Sequence, residues 1–332
     1  MSRLVLVQAR ILASADMLFA FLYAVVIILA ERRALRPAAR FAVGGVRHPA
    51  QTLRLLRYFW HEGEAFMPRS VRVDSLLKIG REHYRIGLSA SDRVDLLIAH
   101  HAALRRAFRR ELLADFFDGA PIRLGEMAGE GCDVYEVLLI HAPVAYRQEG
   151  EATLTLRSRA NGVRLADVTF VIGGSKQKAC CLRIGGAQGP PVQHGKAAIK
   201  AATKALDGLR PKAVVIEATY QFALCLGAST VYATSLSHHV LFVTPKAAMI
   251  HAGPYDLFWE ELGGLRLPAG DYLLPRHPPH RDEAEVPAKR RKDWERRQTR
   301  LAQLAAQIAA TMAALGDLAV AEEAERVKVP SR

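Results

Sequence analysis

Glycines 185, 186, 189 and 195 lie between an apolar, strand-like run and an amphipathic stretch, with Gln188 and Lys196 among them. A backbone that leaves a strand through small residues and then enters a helix exposes unpaired N–H donors at the helix start. The helix dipole favours negative charge at the same place. Gly185, Gly186, Gln188, Gly189, Gly195 and Lys196 therefore form a candidate cofactor- or anion-binding set. Glu217 is expected to end a buried strand, Val214–Ile216, at the carboxyl edge where open sheets place their sites. A partly desolvated carboxylate there has a raised pKa and can act as a general base. Tyr220 is the matching candidate acid, and His239, at the end of the following strand, is a second candidate base. The bland alternatives are a turn glycine, a strand-end acid paired with arginine, and a core tyrosine.

Adjacent His238 and His239 make a poor metal pair without nearby acids, so no metal is expected. One of the two should face inward, because successive strand residues alternate. Cys132, Cys180, Cys181 and Cys225 form no CxxC, which favours a reducing, cytoplasmic compartment. Net charge is +13, and before residue 111 the basic residues are arginines apart from Lys78. Such a surface suits phosphate. Arg290, Arg291, Arg296 and Arg297 recur on the last expected helix, as a contact for phosphate or anionic lipid. Basic runs without interleaved aromatics, helix-turn-helix or zinc-finger pattern argue against specific nucleic-acid binding.

Positioning these residues requires several elements. Residues 34–66 read as helical with Pro49 in a first turn, and a second helix runs from Ala90 to Phe117 with Ser91 as its cap. Gly119–Pro121 and Gly125 mark a loop. The period then changes to strands at Tyr135–Val144, Glu151–Arg159, Val163–Gly173 and Lys178–Ala187, with Asn161-Gly162 as a hairpin signal. A helix over Gly195–Leu209, the Val214–Ile216 strand, a strand over Ser229–Ser235 and a short helix over 255–262 come next. Asp256 is expected to cap that last helix. A proline-rich loop covers 268–287 before the basic C-terminal helix. Of the His100–His101 pair, one ring is expected to be buried and one exposed. Met17–Ala30 is a continuous apolar run, short for a membrane span and succeeded by Arg32, Arg33, Arg36 and Arg40. A buried core helix, a membrane anchor or in-plane helix, and a cleaved signal remain open for it. For an anchor or a core helix the arginines would hold the chain beyond them on the cytoplasmic side.

Four phrases together resemble the VirK/YbjX family of Gram-negative bacteria. They are Ile184–Gly189, Thr203–Lys212, Tyr255–Gly263, and Leu274–Arg276 with Lys289–Arg291 and Arg296–Arg297. The likeness spans residues 35–305. This chain departs from the family pattern at His101, at Leu236 and His238 within Ser235–His239, and at Trp294. The resemblance implies a link to envelope integrity, antimicrobial-peptide resistance and virulence, without implying a reaction.

A meander followed by strand, phosphate loop, helix, strand, helix and strand is also similar to the order in the acyl-CoA-dependent N-acyltransferases of the GNAT type. Val192–Ala197 matches four positions of their pyrophosphate loop but lacks its leading arginine. That likeness implies an acyl-CoA donor. The expected fold is α+β: an apolar N-terminal helix over 1–33, a helical region over 34–130, a mixed GNAT-like sheet over 131–265 and a C-terminal arm over 266–332. Two functions fit these expectations: a cytoplasmic or inner-membrane-associated acyltransferase, or a non-enzymatic scaffold or chaperone-like envelope factor.

Overall fold

The computed structural model describes residues 19–63, 66–130, 133–175, 178–190, 195–243, 255–277, 284 and 286–328. It divides into two compact units, Met1–Glu82 with Leu88–Ile98, and His83–Gly87 with Ala99–Arg332. The pyrophosphate-loop positions Val192–His194, and Cys132, lie outside the described residues.

In the first unit, helix α1 covers residues 19–32, followed by α2 (Leu35–Arg47), α3 (Pro49–Arg57) and α4 (Arg69–Leu77). Pro49 opens α3, where its missing N–H costs nothing. A π-helical turn, Tyr58–Glu62, extends α3. α5 (Ala90–Ala107) is capped by Ser89, whose Oγ accepts the Asp92 N–H at 3.1 Å, rather than by Ser91. The single long helix expected to Phe117 breaks at Arg109, whose extended backbone starts α6 (Arg110–Phe117).

The second unit is built on an eight-stranded sheet in the order β1-β2-β3-β4-β5-β6-β8-β7. Five strands form an antiparallel meander: β1 (Ile122–Ala128), β2 (Val134–His141), β3 (Ala152–Ser158), β4 (Arg164–Ser175) and β5 (Lys178–Gln188). β5 then pairs in parallel with β6 (Thr230–Ala233), joined by a crossover containing α7 (Gly195–Ala205) and α8 (Pro211–Cys225). α9 (Tyr255–Glu261) precedes β7 (Leu265–Arg266) and β8 (Tyr272–Leu274), which pair antiparallel. Finally α10 (Ala288–Lys328) lays Leu301, Leu304, Ile308 and Met312 into the core, one face of a helix. The fold is α+β, as its sequence implied.

Val214–Ile216 is not a strand; it lies inside α8, with Pro211 in the first turn and no glycine or further proline until Gly227. Ten residues of that helix are buried, and such all-round burial overrides the strand preference of three β-branched side chains. Gly125 is not in a loop but at a bulge in β1, where an added Cβ would come within 2.9 Å of Leu304. β7 and β8 were hidden because two- and three-residue strands carry no readable alternation.

Gly185 and Gly186 are likewise strand residues rather than a turn. A Cβ on Gly185 would sit 1.8 Å from the Glu149 carbonyl oxygen, and one on Gly186 would sit 2.1 Å from Glu149 Oε2. A Cβ on Gly189 would meet no described residue within 4 Å apart from its chain neighbours. Gly185→Ala is therefore expected to lower unfolding free energy by about 2–3 kcal/mol, against about 0.5 kcal/mol or less for Gly189→Ala. Urea titration of both variants checks the contrast.

Candidate active site at the end of strand β5

The segment that crosses over Gly185 carries two glutamates. Glu149 closes the 3-10 turn Val144–Tyr146, donating its N–H to the Tyr146 carbonyl at 2.8 Å. Two residues on, the Glu151 N–H donates to the Phe170 carbonyl of β4 at 3.0 Å. Both side chains are buried, and they meet different partners.

Glu151 is bracketed by imidazoles: its Oε1 lies 2.9 Å from His83 Nε2, and its Oε2 lies 3.5 Å from His101 Nε2. Glu149 Oε2 accepts a hydrogen bond from Gln188 Nε2. Its other oxygen, Oε1, is buried without a hydrogen-bond partner among the described residues, as is Gln188 Oε1. His239 Nε2 stands 3.7 Å from Glu149 Oε1, beyond hydrogen-bond reach. Burial pushes the Glu149 carboxyl up to about 8, against the lowering effect of the Gln188 bond and with Asp167 adding to the rise. Asp167, opposite Gln188 across β4 and β5, is raised by its own burial.

The two adjacent histidines face different acids. His239 is buried, stacked edge-on against Tyr255 at 5.3 Å, whose hydroxyl is held well above the phenol range by burial and by Glu149. His238 is half-exposed, with Nδ1 2.9 Å from Asp271 Oδ1. Asp271 also pairs with Arg85 through Oδ2. The strip His83–Gly87 runs beside both: Arg85 bridges to His239, and the Ile86 N–H donates to the His238 carbonyl at 2.8 Å. A protonated carboxyl beside an imidazole, in a site this dry, is an arrangement suited to general acid–base chemistry.

Of the residues singled out in the sequence, Gln188 and His239 enter this cluster, and Gly185 and Gly186 make room for it. Gly189 is exposed, and Gly195, at φ +35°, opens α7 beside exposed Lys196. Glu217 and Tyr220 sit on α8 instead of a strand edge. Glu217 Oε1 accepts from Gln221 Nε2 at 3.2 Å, while Tyr220, its hydroxyl raised by burial, lines a 270 Å³ cleft with Thr230, Leu274 and Arg276. Arg290 and Arg291 are exposed. Arg296 instead lies 3.8 Å from Asp207 and bonds Asp293, and Arg297 lies against Gly208. His100 and His101 are both buried, correcting the expectation that one is exposed; the Ile172 N–H donates to His100 Nδ1 at 3.1 Å. Asp256 does not cap its own helix but accepts the Leu236 N–H at 2.7 Å. Among the described residues no cluster of His, Cys, Asp and Glu is arranged to hold a metal.

Residues 30–310 match a family described as "Protein of unknown function (DUF535)". The chain belongs to that family. It is also 28% identical over 241 residues to the uncharacterized protein YbjX of Escherichia coli (strain K12), covering 72% of this chain and 71% of that protein. This agrees with the resemblance carried by the four phrases. No solved structure matches.

The raised Glu149 carboxyl has a consequence for stability. Below the ordinary value of 4.5 the group is protonated in folded and unfolded chains alike, so burial costs least there. As pH rises from there through about 8 the unfolded chain releases the proton more readily, and folded stability falls. Glu149→Gln should remove that loss, so the variant gains on the wild type as pH rises from about 5 to about 9. Parallel unfolding midpoints for the two proteins across that window would contradict the assignment.

Proposed function

We propose that the second unit is a GNAT-like acyl-transfer domain in which Glu149, with His239, handles the acceptor's proton. The observation that carries this is the Glu149 carboxyl itself: buried, raised to about 8, with no hydrogen bond to Oε1 among the described residues and an imidazole 3.7 Å away. The strand arrangement supports it. An antiparallel meander ends in β5, which leads through a helical crossover to parallel β6, and β8 lies between β6 and β7. β5 pairs with β6 only from Cys181 to Ile184, so Gly185–Gln188 run on with β4 as their one strand partner among the described residues. That backbone edge, with open Gly189 and with Gly195 and Lys196 at the start of α7, fits an extended, phosphate-bearing donor.

An acyl-CoA-type thioester supplies an activated acyl carbon when bound. In its ionised form Glu149 accepts the proton of an acceptor amine or hydroxyl as that atom attacks. It then passes the proton to the departing sulfur, so the carboxylate is regenerated and charge balances. His239 stabilises the ionised carboxylate and orients it. The helical placement of Glu217 and Tyr220 moves the base assignment from Glu217 to Glu149 while keeping His239.

Calorimetric titration of the full chain with acetyl-CoA, a long-chain acyl-CoA and free CoA tests this. Binding on the order of micromolar is expected for at least one of them. Gly189→Trp should weaken it, whereas Glu149→Gln should retain donor binding and slow transfer to a small amine by about 10²–10⁴-fold. A folded protein that binds none of the three overturns the donor assignment and leaves the non-enzymatic scaffold.

A further inference from the structure

The first unit presents an apolar face that its own core does not use. α1 buries Ala24, Ile27 and Ile28, while Phe19, Leu22, Tyr23 and Val26 are exposed at 75, 52, 51 and 60%. Those four positions recur at i, i+3, i+4 and i+7 and share one side of the helix. α2 repeats the pattern. It buries Ala38, Phe41, Gly44 and Gly45, and exposes Leu35, Ala39, Val43 and Val46.

At 3.6 residues per turn the exposed apolar set of α2 occupies an arc of about 80°, and Arg36, Arg40 and Arg47 occupy the next roughly 40°. All three arginines are exposed. α2 thus carries three lengthwise stripes: buried residues, exposed aliphatics and exposed arginines.

The two helices are locked together where the Phe21 ring covers Gly45, at which a Cβ would come within 2.3 Å of Phe21 Cε2. Phe21 also stacks on Phe41, with ring centroids 5.5 Å apart. Beside this contact runs an apolar groove of 200 Å³, lined by Phe21, Val46, Pro49, Leu53 and Leu56. Between residues 30 and 57 the chain has seven arginines and a single acid, Glu31. No described helix is long and apolar enough to cross a membrane.

We propose that this face docks on an anionic lipid bilayer, with α1 and α2 lying in the plane of the interface. Leu22, Val26, Val43 and Val46 enter the acyl boundary, and Arg36, Arg40 and Arg47 meet lipid phosphates. Charge complementarity selects lipid as the occupant. A long apolar stripe flanked along its length by arginines matches a surface that is apolar below and phosphate-rich above. A second copy of the chain would bring arginine against arginine. The inference rests on the first unit alone and stands apart from the transfer chemistry.

Vesicle flotation of the full chain tests it, using phosphatidylglycerol–phosphatidylethanolamine vesicles against pure phosphatidylcholine. Flotation with the anionic vesicles is expected, weakened about tenfold or more by neutral lipid or by salt near 1 M, where screening is short-ranged. Val43→Glu with Val46→Glu replaces exposed side chains, so its unfolding midpoint should hold while flotation drops about tenfold or more. Arg36→Glu with Arg40→Glu should lose the preference for anionic lipid. Undiminished flotation of the valine variant overturns the proposal, since another segment then carries the binding. So does a wild-type dimer in light scattering that the valine variant dissociates while vesicle binding is absent, because the occupant is then a second copy.

Discussion

The second unit depends on one close approach, that of the Glu149 main chain to the paired glycines of β5. The carbonyl of Glu149 occupies space that a side chain on residue 185 would fill, and its carboxylate occupies the corresponding space at residue 186. Only a strand stripped of two consecutive Cβ atoms lets another segment lie this close. The approach carries Glu149 and Glu151 out of water together, and the rest of the cluster answers that displacement.

Burying ionisable groups is costly unless each finds a partner or gives up its charge. The cluster uses both solutions. Glu151 has imidazoles facing both oxygens, and Asp271 has Arg85, His238 and the Ser235 N–H. Among the described residues Glu149 has only an amide within hydrogen-bond reach, and it keeps its proton instead. Neighbouring carboxyls are thereby given different surroundings, the kind of contrast that acid–base catalysis uses. The helix caps work on the same logic at lower cost. Asp207, at φ +54° just past α7, is held by Arg300 Nε at 2.6 Å, and Arg296 lies 3.8 Å away. Part of the basic C-terminal run is thus consumed inside the fold.

Strands β2 to β5 were legible because they alternate and Asn161-Gly162 marks a turn between two of them, whereas β1 was read as a loop from its glycines, and α7 was legible from its amphipathic period. α8 was not. A triplet of β-branched residues dominates a short window, and the helix is hydrophobic on all sides, so no period marks it. In the site, His239 and Gln188 could be picked out by chemistry and position. Glu149 and Glu151 could not, because Arg147-Gln148-Glu149-Gly150-Glu151 has the composition of a solvated turn. Their burial is imposed by Gly185 and Gly186, whose role as spacers shows only when the strands are paired. His83 and His101 lie far along the chain from Glu151, and nothing local connects them.

The cluster also has an order of assembly. Glu149 meets Gln188 across 39 residues, and Arg85 meets Asp271 across 186. Loop closure of that span must precede any reward from the contact, so such pairings form late in folding. During synthesis from the N-terminus, Glu149 therefore emerges as an ordinary hydrated acid. It acquires its altered affinity for the proton only after β5 has zipped onto β4 and the chain through Asp271 has been delivered. A nascent or truncated chain carries the same side chains without their chemistry, and the acid–base character of the cluster belongs to the finished sheet alone.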